Sequence, residues 1–354
     1  MYHVRSPGRV NLIGEHTDYS GGYAMPIATD LATTLDAEPA ESVTITSRAM
    51  GETRTFELDD PEPVGDWTDY VRGCYAVLDE SGYDPGGFEG EIGGDLPIGA
   101  GLSSSASLEL AVLAFLGAAY DFDLSREELA RLGQRVENDF VGVDCGLMDQ
   151  FSVALSKSNH ALFVDLGEES FARIPIPADL EFVVVDSGVE RSLSSTPYND
   201  RRATIESALA ALGVEHSPAV DLAALSELDD QLAKRLGYVV RENARVRQAA
   251  TALEDGESER FGDILVEAHE DLAANFDAST PELDCIVETA VEHGAYGARL
   301  SGAGWGGAVV LAVDGQNAQE IAETVEHDYR ERFPEREPRT YQITPADGVT
   351  VEQR

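Results

Sequence analysis

Across 354 residues the chain carries 66 acidic side chains against 25 Lys and Arg, a net charge of −41. Such a surface repels phosphate backbones and excludes non-specific binding to nucleic acid or to an anionic membrane. A hydrophobic content of 43% supports packed cores in a chain long enough for two domains, and excludes a disordered acidic protein.

The acids are spread along the chain and read as a solvated, halophilic surface of the kind used in high-salt cytoplasm, where screening removes most self-repulsion. Cys74, Cys145 and Cys285 are widely spaced with no C-x-x-C pair, which argues for reduced thiols and against a zinc site or disulfide framework. No basic-then-apolar leader opens the sequence and no uncharged apolar run approaches ~18 residues. A cytoplasmic protein with no membrane partner is expected, as a monomer or weak dimer.

In chain order, residues 4–19 read V-R-S-P-G-R-V-N-L-I-G-E-H-T-D-Y. Pro7-Gly8 breaks the backbone, residues 10–13 form a short apolar piece, and Gly14 turns the chain. Glu15, His16, Asp18 and Tyr19 then crowd into five positions. Clustered donors and acceptors beside an aromatic suit a polyhydroxy ligand, although a polar surface turn would read the same way. Residues 42–46 and 53–58 alternate as paired strands with Gly51 in the turn, residues 59–65 are a loop, and Trp67 opens a helix.

Residues 88–92 alternate like a strand, and 108–120 are an alanine-rich apolar run that reads as a buried helix. Between them lies P-I-G-A-G-L-S-S-S-A-S, residues 97–107. Gly99 and Gly101 remove the Cβ atoms that would hold an anion off the backbone, at a helix start where free N–H groups and the positive dipole end meet. Ser103, Ser104 and Ser105 can cap the helix, donate to phosphate or ligate a hard cation. The loop has no lysine for a Walker A motif, and Ser104 stands where G-x-G-x-x-G needs its third glycine.

Residues 125–140 read as a helix with a Ser125–Glu128 capping box and Glu137 at the edge of its apolar stripe. Asp144 reads as a loop acid; Asp149, before an apolar strand-like run, is less easily explained as a surface residue. A strand at 161–166 is followed by Pro175 and Pro177, which mark the expected domain boundary and give domains of 1–176 and 177–354. Residues 181–186 are a buried strand. Helices are predicted at 201–212, 226–236, 238–253, 261–276 and 281–293, then strands around G-A-G-W-G-G (302–307), a helix over 316–333 and a final strand.

Residues 8–19, G-R-V-N-L-I-G-E-H-T-D-Y, resemble the galactokinase signature. The loop at 97–107 resembles the phosphate loop of the wider family of galactokinase, homoserine kinase, mevalonate kinase and phosphomevalonate kinase. L-S-G-A-G-W-G-G at 300–307 resembles its third motif. The three stand in the family's order. The resemblance implies an α+β fold with an N-terminal S5-like domain and a C-terminal ferredoxin-like domain, the active site lying between them. It implies a kinase that moves the γ-phosphate of ATP to the anomeric hydroxyl of galactose.

Carried over residue by residue, it implies that Asp149 takes the proton and that Arg9 orients it and favours the developing alkoxide. Glu15, His16, Asp18 and Tyr198 would bind the sugar, although Pro197 stands where the family has a glutamate before the tyrosine. Gly99, Ala100, Gly101, Leu102, Ser103, Ser104, Ser105 and Ala106 would hold ATP, with Trp67 facing the base or sitting in the core. Ser104 and Glu137 would hold Mg2+, and the third motif would close the cleft. A kinase for another sugar, such as N-acetylgalactosamine or arabinose, and a non-catalytic galactose-sensing regulator are the alternatives. A nicotinamide oxidoreductase lacks both its third glycine and its alternating strand–helix series.

Overall fold

The computed structural model describes residues 1–58, 62–143, 145–189 and 196–354; Asp144 and the first part of the loop before Tyr198 lie outside them. Two compact units emerge. One comprises Met1–Arg9, Ala28–Ser158 and Pro345–Arg354, the other Val10–Ile27 and Asn159–Thr344. A single cut after residue 176 does not describe these units. The last strand, Thr350–Gln353, pairs antiparallel with the first, Tyr2–Asn11, in the register Tyr2↔Gln353, so the C-terminus returns to the first unit. Pro175 only ends the strand Ser170–Pro175, which pairs with His160–Asp165 inside the second unit.

The first unit is built on a six-stranded sheet. Its order is Thr350–Gln353, Tyr2–Asn11, Pro26–Ala40, Gly87–Gly94, Val43–Ser47 and Glu52–Phe56. The expected hairpin at 42–58 forms with Gly51 at φ 65° in its turn. The helix Ser104–Ala119 is apolar on nearly every side and lies among the helices Asp69–Glu80, Arg126–Arg135 and Met148–Leu155. A helix apolar all round has to be enclosed in this way. Phe88, Phe115, Leu113, Val71 and Leu132 fill the core between sheet and helices.

Two local expectations change here. The helix predicted over 125–140 keeps its cap, Ser125 Oγ accepting from the Glu128 N–H at 3.1 Å, but turns π-helical over Val136–Val141 and stops at Gly142, φ 81°. The strand-like run after Asp149 is instead the helix Met148–Leu155. It is buried on most sides, so its apolar residues show no period that separates strand from helix.

The second unit carries a four-stranded antiparallel sheet ordered Gly297–Ser301, Ala308–Asp314, Leu180–Asp186 and Arg339–Ile343. Helices pack on it around Tyr238, Phe276, Leu300 and Val309. A three-stranded sheet of Tyr23–Ala24, His160–Asp165 and Ser170–Pro175 completes the unit. The helices predicted at 226–236 and 238–253 are one, Asp230–Glu254, running through Gly237 and capped by Asp229. Gly237 costs an exposed helix about 1 kcal/mol, which burial of the segment offsets. The helix expected from residue 201 begins at Thr196, because a proline in the first turn sacrifices no hydrogen bond. Both units together give the α+β class.

Candidate active site

In the first unit the glycine–serine loop wraps the start of the helix Ser104–Ala119. Gly99 and Gly101 take φ of 82° and 78°, a region open to glycine, and space around Gly99 is empty. Ser103 is also left-handed, at φ 56°, and no side chain caps the helix. The three serines thus do not act as caps. They stand half-buried at the helix start, Ser104 and Ser105 in the first turn. Ala100, Leu102 and Ala106 are buried and anchor the loop from behind.

Arg9 reaches this loop from the first strand. Its backbone N–H donates to the Leu102 carbonyl at 3.0 Å and its Nη1 to the Gly101 carbonyl at 2.8 Å. The approach needs Gly8, where a Cβ would stand 2.8 Å from the Leu102 oxygen. Arg9 then presents a fork to Asp149, with Nε to Oδ1 and Nη2 to Oδ2 both at 2.7 Å. Ser103 Oγ adds a third bond to Oδ2 at 2.5 Å. Asp149 sits in the first turn of Met148–Leu155, so the helix dipole favours its carboxylate. Arginine and aspartate, 140 positions apart in sequence, face one another as the sequence reading requires. The part of Ser103 in orienting Asp149 was not legible, since three adjacent serines carry no sign of which one turns away from phosphate.

Glu137 lies buried in the π-turn. Asn138 ties that turn to the segment before Asp149, its Oδ1 accepting from the Cys145 N–H at 2.9 Å. Glu109 is fully buried and neither carboxyl oxygen has a hydrogen-bond partner among the described residues. Burial pushes Glu109 well above the usual carboxylate range, and the charges of Glu137 and Asp149 add to it. Burial raises the Cys145 thiol as well, with Glu137 again contributing. The hydroxyl of Ser104 and the carboxylate of Glu137 are hard oxygen donors of the type that suits a divalent cation such as Mg2+. Glu109 lies within the run 108–120 that the sequence marks only as apolar. Its lack of any basic neighbour one helical turn away was the available signal.

Trp67 is half-buried against the first unit's core, and its indole N–H finds no partner among the described residues. Both of its predicted roles are compatible with that position.

The second unit assembles the sugar-like motif. Gly14 at φ 105° and His16 at φ 65° form a tight turn. His16 Nε2 donates to the Ala303 carbonyl at 2.9 Å, and His16 Nδ1 lies 3.0 Å from Tyr19 Oη, from which the neutral imidazole accepts. Burial pushes His16 down to about 4. The rings of Phe276, Tyr198, Trp305 and Tyr19 surround it at centroid distances of 4.6, 5.6, 5.8 and 5.9 Å. Asp18, Tyr19, Tyr198 and Trp305 stay half-exposed, so carboxylate and aromatic edges remain accessible beside the buried histidine. Glu15 is buried: Oε1 accepts from the Gly302 N–H at 3.2 Å and Oε2 pairs with Arg299 at 2.5 Å. Burial pushes its carboxyl up to about 7, with Arg299 pulling the other way.

The GHMP kinases N terminal domain matches residues 69–157, the GHMP kinases C terminal domain matches 249–331, and the galactokinase galactose-binding signature matches 2–39. Fold and site thus define a small-molecule kinase of the GHMP class. Galactokinases of Thermococcus kodakarensis and Pyrococcus furiosus are 46% and 44% identical to this chain, each over 98% of it and 99% of their own length. The crystal structure of Lactococcus lactis galactokinase complexed with galactose superposes with a TM-score of 0.93 at 32% identity, covering 98% of this chain and 94% of that one. Methanococcus jannaschii mevalonate kinase shares the fold at a TM-score of 0.73 and 20% identity. The chain belongs to the galactokinase family.

Proposed function

We propose that the protein transfers the γ-phosphate of ATP to the anomeric hydroxyl of galactose, giving galactose 1-phosphate and ADP. The observation that carries this reading is the Arg9–Asp149 fork beside the glycine–serine loop. As the sugar oxygen bonds to phosphorus and the bond to the β-phosphate oxygen breaks, the hydroxyl proton passes to Asp149. Phosphoryl transfer proceeds through a loose transition state, so a correctly aimed carboxylate is sufficient as base. Three donors on Asp149 fix that aim, and the Arg9 charge offsets negative charge developing on the attacking oxygen.

Backbone amides of residues 99–106 and the helix dipole receive the phosphates, a solution suited to a chain with few cations. Ser104 and Glu137 would hold Mg2+, which when bound neutralises phosphate charge. Trp67 would face the base. Glu15, His16, Asp18 and Tyr198 would receive the sugar, and the galactose-type first motif favours galactose over arabinose or N-acetylgalactosamine.

A coupled ADP-release assay in high potassium chloride, run over these three sugars, tests the reading. Turnover fastest with galactose is expected, and rapid turnover of another sugar with none of galactose would refute it. Glu137→Ala should raise the Mg2+ concentration needed for half-maximal rate, and an unchanged requirement would remove Glu137 from the metal site.

A cytoplasmic, salt-adapted protein follows from the same reading. Among the described residues no helix is long and apolar enough to cross a membrane. With a charge of −41, thermal stability should rise from low to molar salt as screening relieves self-repulsion. A melting temperature independent of salt would contradict that.

A further inference from the structure

Behind the sugar-type turn of the second unit runs a buried charge chain that no step of phosphate transfer uses. Arg299, fully buried, pairs through Nη2 with Glu15 at 2.5 Å and through Nη1 with Glu242 at 2.6 Å. Glu242 Oε1 also accepts from the Gly14 N–H at 3.0 Å, and its Oε2 accepts from Arg245 Nε at 2.9 Å. Arg245 pairs with Asp271 at 2.8 Å, and Asp271 accepts from both Nε and Nη2 of Arg241 at 2.7 Å. With Glu15 ionised, three carboxylates and three guanidiniums alternate from the turn to the partly exposed Arg241.

We propose that Arg299 is a positioning residue of the sugar site. By gripping Glu15 and Glu242 together, it fixes both the side chain and the backbone of the Gly14–His16 turn. The proposal rests on reading this turn as part of a galactose site.

Three observations carry it. First, stability alone does not account for the chain. Buried ion pairs are often no more stabilising than apolar residues of the same volume, because desolvation offsets their attraction. Second, the turn needs external support. His16 holds a left-handed backbone as a non-glycine residue, a conformation that persists only where the surroundings over-determine it. Tyr238 Oη bonding to the Glu15 carbonyl at 3.1 Å and the Ala303 bond to His16 belong to that support. Third, the geometry uses what is particular to arginine. Two nitrogens of one planar group reach two different carboxylates, which a single lysine ammonium cannot reproduce.

The test is steady-state kinetics of Arg299→Lys, with melting temperature measured in parallel. Small displacements of a binding group cost up to about 100-fold. The galactose KM should therefore rise about 10- to 100-fold, with the ATP KM changed by less than about twofold. Should Arg299→Lys not fold, Asp271→Asn, two links from Glu242, replaces it and should raise the galactose KM in the same direction by a smaller factor. A galactose KM unchanged in the folded variant, or an ATP KM that rises equally, overturns the proposal. Wild-type protein in the same assay separates the two claims. Turnover of galactose by wild type with an unmoved galactose KM in the variants refutes only the positioning role; no turnover of galactose by wild type refutes the galactose reading and this inference with it.

Discussion

Arg9 with Asp149 in the first unit and Arg299 with Glu15 and Glu242 in the second are the same chemical pairing in two surroundings. Both arginines are nearly or fully buried. The carboxylates differ: Asp149 keeps 29% of its side chain exposed, whereas Glu15 and Glu242 keep 2% and 0%. Asp149 therefore has a face on which to meet a substrate hydroxyl, while its partners hold the other face. Glu242 has none, since its oxygens are spent on Arg299, Arg245 and the Gly14 N–H. Exposure of one partner, with the other held fast, separates a group placed to react from groups placed to hold.

Several substitutions would break or sharpen this contrast. The largest effect on stability is expected at the sealed site. Glu242→Ala leaves buried guanidiniums without their shared partner and should cost about 3–5 kcal/mol, read by denaturant unfolding. A loss below 1 kcal/mol would show that the sealed chain does not bear on folding.

At the open site the cost should fall on rate. Arg9→Lys keeps the charge but loses the fork and should lower kcat by about 100-fold, as measured by ADP release. Retention of full kcat would show that the bidentate geometry is dispensable.

His16 gives a smaller, pH-dependent effect. Burial keeps it neutral down to about 4, whereas in the unfolded chain it takes a proton below its ordinary value of 6.5. Its contribution to stability is therefore lost as pH falls through that window. Relative to His16→Gln, wild type should lose about 1 kcal/mol per pH unit between 6.5 and 4. A difference that does not vary with pH would mean that the imidazole titrates freely.

The smallest change is expected from Glu109→Gln. Burial pushes the Glu109 carboxyl well above the usual carboxylate range and so favours its neutral form; a neutral amide of the same shape should alter stability by less than about 1 kcal/mol. A larger loss would indicate that it is ionised in the folded protein.

What could be read from the sequence was local. The helix cap at Ser125, the glycine turns at 99 and 101 and the hairpin around Gly51 each depend on a few adjacent residues, and each is found where expected. The Asp149 position came from a motif and its contact with Arg9 from resemblance; periodicity contributed nothing to either. Features set by distant partners stayed hidden. The return of the C-terminus to the first unit follows from pairing of Tyr2 with Gln353, which no window of sequence contains. Glu242 and Arg245 carry no local sign of burial, because Arg299, 57 positions from Glu242, is what makes them a buried chain. The π-turns at Val136–Val141 and Leu272–Phe276 likewise left no local mark.

Asp149→Asn reaches the central claim most directly, with single-turnover phosphate transfer and equilibrium galactose binding measured on the same preparation. The account predicts that transfer slows by about 10²- to 10⁴-fold while galactose still binds within a few-fold of wild type. Transfer at a near wild-type rate would remove Asp149 as the proton acceptor, and with it the mechanism built on its fork with Arg9.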